Sequence, residues 1–483
     1  MSLPYRLTGL FLGAGASLEV GMPLVWELTE ELKALLTVDK LRALNGGWRL
    51  QGTGYPDAVM EDFVSVLVIP EMHYESLLGY LETQAVRNLS MRQPYLGLYA
   101  FLVEVVYQIL RLRHTLNVDL IDHNLSWLEG IARLTQANAP LWIFSLNHDL
   151  VMECLAAKYG IPLHSGFGSG TITLPRRDAT GRKIGELKAE TVTEIQLASG
   201  MNFPQPGVEG INLLKIHGAL DVFAYRDGKD FAKLLPEEQT VRSIIEMLRI
   251  AQDELLYVNP QRPYPIKTTN EITYADDDGV MQFLQRSLVA GAHKFDNRIS
   301  QVLPKSFLMH FESHINFVST LICIGYGFGD LHINQVLRDW LERDAERRLE
   351  IASPTASVPP FVSHLAPQVT AFPEAASDYL DKRTGVTRTR GELLERRLGV
   401  WRRANRKNPD APEQFAAFMR ERQAASVRGA LERIGSQFRD DGSLRLAGQE
   451  ATPEEWVRRL IRENELGHED LLEAFLVAHE RNK

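Results

Sequence analysis

The apolar run Leu10-Phe11-Leu12 passes into Gly13-Ala14-Gly15-Ala16-Ser17, and a helical pattern follows with Val25, Leu28, Leu32, Leu35 and Leu36. A buried strand, a glycine-rich turn and a helix in that order commit a chain to the α/β class more firmly than any other stretch here. Pro23 suits the first turn of the helix. Glycine lets the backbone of such a turn approach a pyrophosphate, and N–H groups at a helix start favour its negative charge. Any tight strand-to-helix turn also wants glycine for its own geometry. The stretch therefore makes Gly13, Ala14, Gly15 and Ser17 candidate nucleotide contacts, to be judged with the other motifs.

Strand-like runs return at Leu141 to Leu146, Leu213 to His217, Leu255 to Val258 and Leu321 to Tyr326, with Leu349 to Ala352 and Gln368 to Phe372 as the last members. Enough chain separates them for crossovers, so a Rossmann-like parallel sheet ending near residue 375 is expected. Between about 45 and 138 lies a helical insertion, in which Phe63, Val64, Leu67, Leu77, Leu78 and Leu81, then Leu98, Phe101, Leu102, Val105, Ile109 and Leu110, recur at helical spacing. From 376 to 483 the pattern is helical and charged. Thr452-Pro453-Glu454-Glu455 forms a capping box, and Leu471, Leu472, Phe475 and Leu476 follow Gly467 on a further helix. The expected domains are 1–375, an α/β domain, and 376–483, a helical one.

The chain has 483 residues, 45% of them hydrophobic and 24% charged, the balance of a folded globular protein. Its start lacks the apolar core of a signal peptide, and no stretch runs about 18 apolar residues without a charge, so a cytoplasmic protein with no membrane role is expected. A net charge of -9 argues against general affinity for nucleic acid. One region departs from this. Arg383, Arg388, Arg390, Arg396, Arg397, Arg402, Arg403, Arg406, Lys407, Arg420, Arg422 and Arg428 crowd together with Trp401 among them, as either a solvated helical face or a partner surface. Two cysteines, Cys154 and Cys323, exclude a disulfide framework and a four-cysteine zinc module. His310 and His314 are four residues apart, but no third ligand or glutamate base matches them.

Three of the later runs end in groups that do chemistry. Leu141 to Ser145 leads into Asn147-His148-Asp149, at the carboxyl edge where open α/β sheets bind ligands. Asn147 or Asp149 could equally be no more than the cap of the helix through Leu150, Val151, Met152 and Leu155. Leu213 to Ile216 ends in His217-Gly218. Ile322 to Ile324 runs into Gly325-Tyr326-Gly327-Phe328-Gly329-Asp330, followed by His332 and Asn334.

These four strand ends, in this order, resemble the sirtuin-like family, especially its bacterial anti-phage branch, over roughly residues 7 to 375. The resemblance implies NAD as substrate, with Gly13, Ala14, Gly15 and Ser17 at the pyrophosphate and Gly325, Gly327 and Asp330 along the adenosine half. It makes Asn147, Asp149 and His217 the catalytic candidates: Asn147 to position the ribose or the attacking water, His217 to act as base or to orient the ribose hydroxyls, Asp149 to fix the local network. Cleaving the nicotinamide N-glycosidic bond needs oriented dipoles and a proton acceptor, and no metal. A chain with two cysteines departs from the deacetylase members, which carry a four-cysteine zinc module, and His148 replaces their aromatic or aliphatic residue beside the matching Asn. The expected activity is hydrolysis of NAD to nicotinamide and ADP-ribose in anti-phage defence. The alternatives are an NAD-dependent protein deacylase and a non-catalytic subunit that binds NAD or ADP-ribose. Such relatives imply a homo-oligomer or a separate partner, such as a HerA-type ATPase or a short Argonaute, with nucleic acid engaged only indirectly. No ATPase loop of the G-x-x-x-x-G-K-[ST] form is present, so an ATPase would be another polypeptide.

Overall fold

The computed structural model describes residues 7–226, 228–259, 261, 265–288, 305–435 and 453–480. The chain divides into two compact units, Met1–Val386 and Thr387–Lys483. In chain order the strands are β1 (Leu7–Leu12), β2 (Leu141–Ser145), β3 (Leu163–His164), β4 (Gly170–Arg177), β5 (Lys183–Val192), β6 (Ile211–Lys215), β7 (Val222–Tyr225), β8 (Asp230–Leu235), β9 (Glu271–Ala275), β10 (Met281–Arg286), β11 (Val318–Ile324), β12 (Arg348–Ala352) and β13 (Val369–Phe372).

Among the described residues, β13, β12, β11, β1, β2, β6 and β3 lie side by side in that order, all parallel. Parallel neighbours need long crossovers, and the insertion from helix Val25–Leu35 to helix Glu129–Ala137 supplies the one between β1 and β2. Side chains alternate between two covered faces. Leu10, Leu12, Ile143, Leu213, Ile322 and Ile324 join the core that the insertion fills. Phe11, Trp142, Phe144, Leu214, Leu321 and Cys323 face the core of helices Ser306–His314 and Leu331–Glu342. Burial on both sides is why these strands read as continuous apolar runs. The α/β class and the parallel sheet are therefore as expected. Cys154 and Cys323 are both buried and unbridged, and burial pushes both thiols up.

The chain leaves β1 toward β2 and β6 on one side, and leaves β11 toward β12 and β13 on the other. This reversal falls between β1 and β11, and the carboxyl ends of strands at such a point are the usual place for a ligand in an open α/β sheet.

Three expectations need correction. Leu255–Val258 forms no sheet strand: helix Val241–Glu254 ends there, Leu255 packs in the core, and Val258 makes only an isolated bridge to Pro265. A short apolar run does not by itself separate strand from buried coil. Secondly, an unforeseen antiparallel sheet, ordered β4-β5-β8-β7-β10-β9, occupies much of the chain between β3 and β11. Thirdly, the first unit does not stop at 375. Helix Ala376–Thr384 buries Ala376, Tyr379 and Leu380 in its core, and a Cβ on Gly130 would lie 2.8 Å from Leu380 Cβ, so a glycine is what lets the two helices approach.

The stretch Leu89–Leu116 is long and apolar enough by length and composition to cross a membrane. Leu98, Leu102, Val106 and Leu110 from it are core residues of the first unit. In the second unit, Leu394, Leu398, Leu472, Phe475 and Leu476 form a small core with Trp401, Phe415, Phe418 and Met419 against it. Helix Pro453–Asn464 forms as expected, while Thr452 of its predicted cap lies outside the described residues.

Candidate active site

The loops after β1 and β11 are packed against each other. Gly13 N–H donates to Ile324 O and Gly15 N–H to Gly325 O, each at 3.0 Å. A Cβ on Gly15 would come 2.7 Å from Gly325 Cα, and one on Gly325, whose φ is +61°, would come 2.4 Å from Gly15 Cα and Ala16 N. Contacts under 3 Å leave no room for any side chain, so these glycines are required by loop-on-loop packing. Ala16 N–H is also spent, donating to Gly13 O. Ala14 is half-buried at the start of the short turn Ala14–Ser17. Gly327 differs. It is exposed, and a Cβ there would meet nothing within 4 Å.

Asn147 joins this arrangement from the end of β2. Its Nδ2 donates to Gly13 O at 2.9 Å and to Ser17 Oγ at 3.1 Å, so its amide ties down the glycine loop. Asp149 points elsewhere. Its Oδ1 accepts the Val151 N–H at 3.1 Å, at the start of helix Val151–Tyr159, and its carbonyl accepts from Lys215. Asp149 thus turns one oxygen to the start of the helix from the residue before its N-cap Leu150, while Asn147 holds the glycine loop. His148 is buried with Nδ1 3.3 Å from Gly218 O, and its carbonyl accepts the Leu220 N–H, which clamps the β2 and β6 loops together.

His217 leaves the end of β6 and reaches across the carboxyl edge to the β11 loop. Its Nε2 lies 3.3 Å from Asp330 Oδ2, with the two side chains 5% and 10% exposed. Gly218 follows with a φ of +81°, and a Cβ there would sit 2.2 Å from Ser287 O, so only glycine allows the turn that aims the imidazole. Asp330 caps helix Leu331–Glu342, its Oδ1 accepting the His332 and Ile333 N–H groups at 3.1 and 3.3 Å. Tyr326 Oη donates to Asn334 Oδ1, and Asn334 Nδ2 donates to Phe328 O, bracing the same loop. Burial pushes the Tyr326 phenol up, so it stays a donor through the neutral range. Asp330, predicted along an adenosine, thus stands against the predicted base.

Sequence reasoning missed a buried ion cluster beneath this edge. Lys215 lies 3.4 Å from Glu153 Oε2, Lys233 lies 3.3 Å from Glu153 Oε1, and Lys233 also contacts Asp221. Burial opposes ionisation of Glu153, but Lys215 and Lys233 outweigh it and hold the carboxyl below its ordinary range. The cluster links β6, which leads into His217, to β8 of the antiparallel sheet. A signal was present: Lys215 interrupts the apolar run Leu213 to Ile216, and a charge in a buried strand must be paired. His310 Nε2–H donates to Leu197 O at 2.8 Å and His314 Nδ1–H to His310 O at 2.7 Å, so both rings are directed to carbonyls. Among the described residues, no three His, Cys, Asp or Glu side chains are grouped to hold a metal ion.

No family model matches the chain. No curated protein matches it either. A solved structure described as the crystal structure of a Sir2 homolog–NAD complex is similar at 10% identity and a TM-score of 0.34, over 79% of this chain and 89% of that one. A likeness that weak carries no weight for the chemistry, which rests on the residues themselves.

Proposed function

We propose that the chain is a hydrolase that cleaves NAD to nicotinamide and ADP-ribose, using the crevice above β1 and β11. The observation that carries this reading is the meeting of four strand ends there: His217 with Asp330, and Asn147 with Gly13 and Ser17. The sirtuin-like resemblance of those motifs supplies the substrate. In the step, the C1′–N bond to nicotinamide breaks and its electron pair neutralises the pyridinium nitrogen. A water oxygen then bonds to C1′, and the water's proton passes to His217. An imidazole suits that task because its ordinary pKa lies near neutrality. Asn147 holds the loop that faces the substrate with its amide N–H groups and presents its amide oxygen to the ribose or the water. The exposed turn at Gly327 and the Ala14 to Ser17 turn receive the phosphates and adenosine.

The biological setting proposed is cytoplasmic anti-phage defence by depletion of NAD, gated by self-association or by a partner bound through the Arg-rich second unit. The test is to incubate purified protein with NAD, with and without an acetylated peptide, and to follow nicotinamide and ADP-ribose by chromatography. Peptide-independent ADP-ribose, reduced at least about 100-fold in Asn147→Ala and His217→Ala, is the expected result. Turnover only with the peptide would make the protein a deacylase, and binding without turnover would make it a non-catalytic NAD-binding subunit.

A further inference from the structure

We infer that Asp330 is the positioning residue for His217, which deepens the hydrolase reading and rests on it. β6 and β11 are not neighbours: β2 and β1 lie between them, so their ends are separated by three strand spacings, about 14 Å. Ile216 N–H still pairs with Ser145 O, so a 3.3 Å approach of His217 Nε2 to Asp330 Oδ2 requires the six residues after β11 to carry Asp330 back across that gap, and is not a by-product of strand pairing.

The carboxylate is also held. Its Oδ1 accepts two N–H groups at the start of helix Leu331–Glu342, and Tyr326 and Asn334 brace the loop that carries it. One oxygen is anchored to a helix and the other is held 3.3 Å from the imidazole Nε2, so the carboxylate acts on the ring through its charge at close range. When the ring takes a proton from water, the negative carboxylate beside it stabilises the imidazolium that forms. Both groups are nearly excluded from solvent, where such a pair interacts more strongly than at a surface.

Asp330→Asn is the variant of choice, because asparagine caps a helix about as well as aspartate and leaves the fold's use of this position intact. In the full-length protein the expected result is a fall in kcat of about 100-fold with KM changed less than about threefold and an unaltered melting temperature. A raised KM with kcat retained would instead make Asp330 a ligand contact and overturn the inference, as would unchanged kinetics. A second readout does not depend on turnover. In protein labelled with ¹⁵N-histidine, with His217 identified by its loss in His217→Gln, Asp330→Asn should shift the His217 ring-nitrogen resonances. Unmoved resonances would overturn the pairing. If the wild-type protein does not cleave NAD at all, the hydrolase reading fails separately, and the nitrogen spectra still decide whether Asp330 sets the state of His217.

Discussion

Gly13, Gly15 and Gly325 are glycine because each loop occupies the space where the other's side chain would be, whereas Gly327 has open space around it. The two groups should respond differently to one methyl group. Gly325→Ala forces a positive φ on alanine and a contact of 2.4 Å with backbone, so a loss of about 3 kcal/mol of stability is expected, visible as a lower melting temperature. Gly327→Ala should melt like the wild type and raise the KM for NAD, if the loop faces the ligand as proposed. A Gly327→Ala protein that melts early, or a Gly325→Ala protein that does not, would show that packing is not what divides these glycines. The positions of these residues were legible in the sequence because each stands at the end of a buried apolar run. Their partners were not. His217 and Asp330 meet only because the chain beyond β11 reaches back past β1 and β2 toward the end of β6, and neither that path nor the strand order is written in local spacing. Asp149 shows the same limit: an aspartate after a strand serves a helix start or a ligand equally well until its hydrogen bonds are seen.

Helices carry the pH dependence. His114, on helix Arg92–Leu116, donates Nδ1–H to Leu110 O at 2.8 Å and accepts the Leu150 N–H on Nε2 at 3.1 Å, so the neutral ring is fully used. Protonating Nε2 would set a donor against a donor. Burial lowers the pKa of His114, and likewise of His310 and His314 on helix Ser306–His314. For a histidine lowered in the fold, stability is complete above the unfolded value near 6.5 and is lost as pH falls below it, because the unfolded chain takes up protons that the folded chain refuses. The melting temperature should therefore fall between pH 7 and pH 5, before the carboxylates titrate, and His114→Gln should flatten part of that slope. A flat profile over this range would mean that burial does not hold these rings neutral. The helices themselves were legible from their spacing, but the antiparallel sheet was not. β5, for instance, is exposed over most of its first half and buried only toward its end, so no sustained apolar run announces it. Val222 to Leu235 turns back on itself as β7 and β8 within a span that reads from sequence as a spacer.

For the whole molecule, the boundary between the units decides what a truncation can teach. Sequence composition changes near 375, yet the helix beyond it belongs to the first unit: Ser377 donates its N–H and hydroxyl to Glu19 at 2.9 and 2.6 Å, Tyr379 donates to Glu350, and the rings of Phe372 and Tyr379 stand 5.1 Å apart. Cutting at 375 would strip Tyr379 and Leu380 from the core, each of which contributes about 1.5–3 kcal/mol by burial, and would leave the Glu19 carboxylate without these donors. Cutting after Val386 should leave the first unit whole. Residues 1–386 are accordingly expected to be soluble, to melt cooperatively and to bind NAD, while 1–375 melts markedly lower or aggregates. The second unit has an internal use for some of its basic residues, since Arg390 contacts Asp470 and Glu473, Arg420 contacts Glu413, and Arg459 contacts Glu463. Its charge is thus not all offered outward, and a partner contact there must be demonstrated rather than read from the count of arginines. Comparing the mass of the full chain and of 1–386 by light scattering makes that test. Self-association lost in 1–386 with NAD binding retained would assign assembly to Thr387–Lys483. Assembly retained would place the self-association surface in the α/β unit and remove the argument for the Arg-rich helices as the oligomer contact.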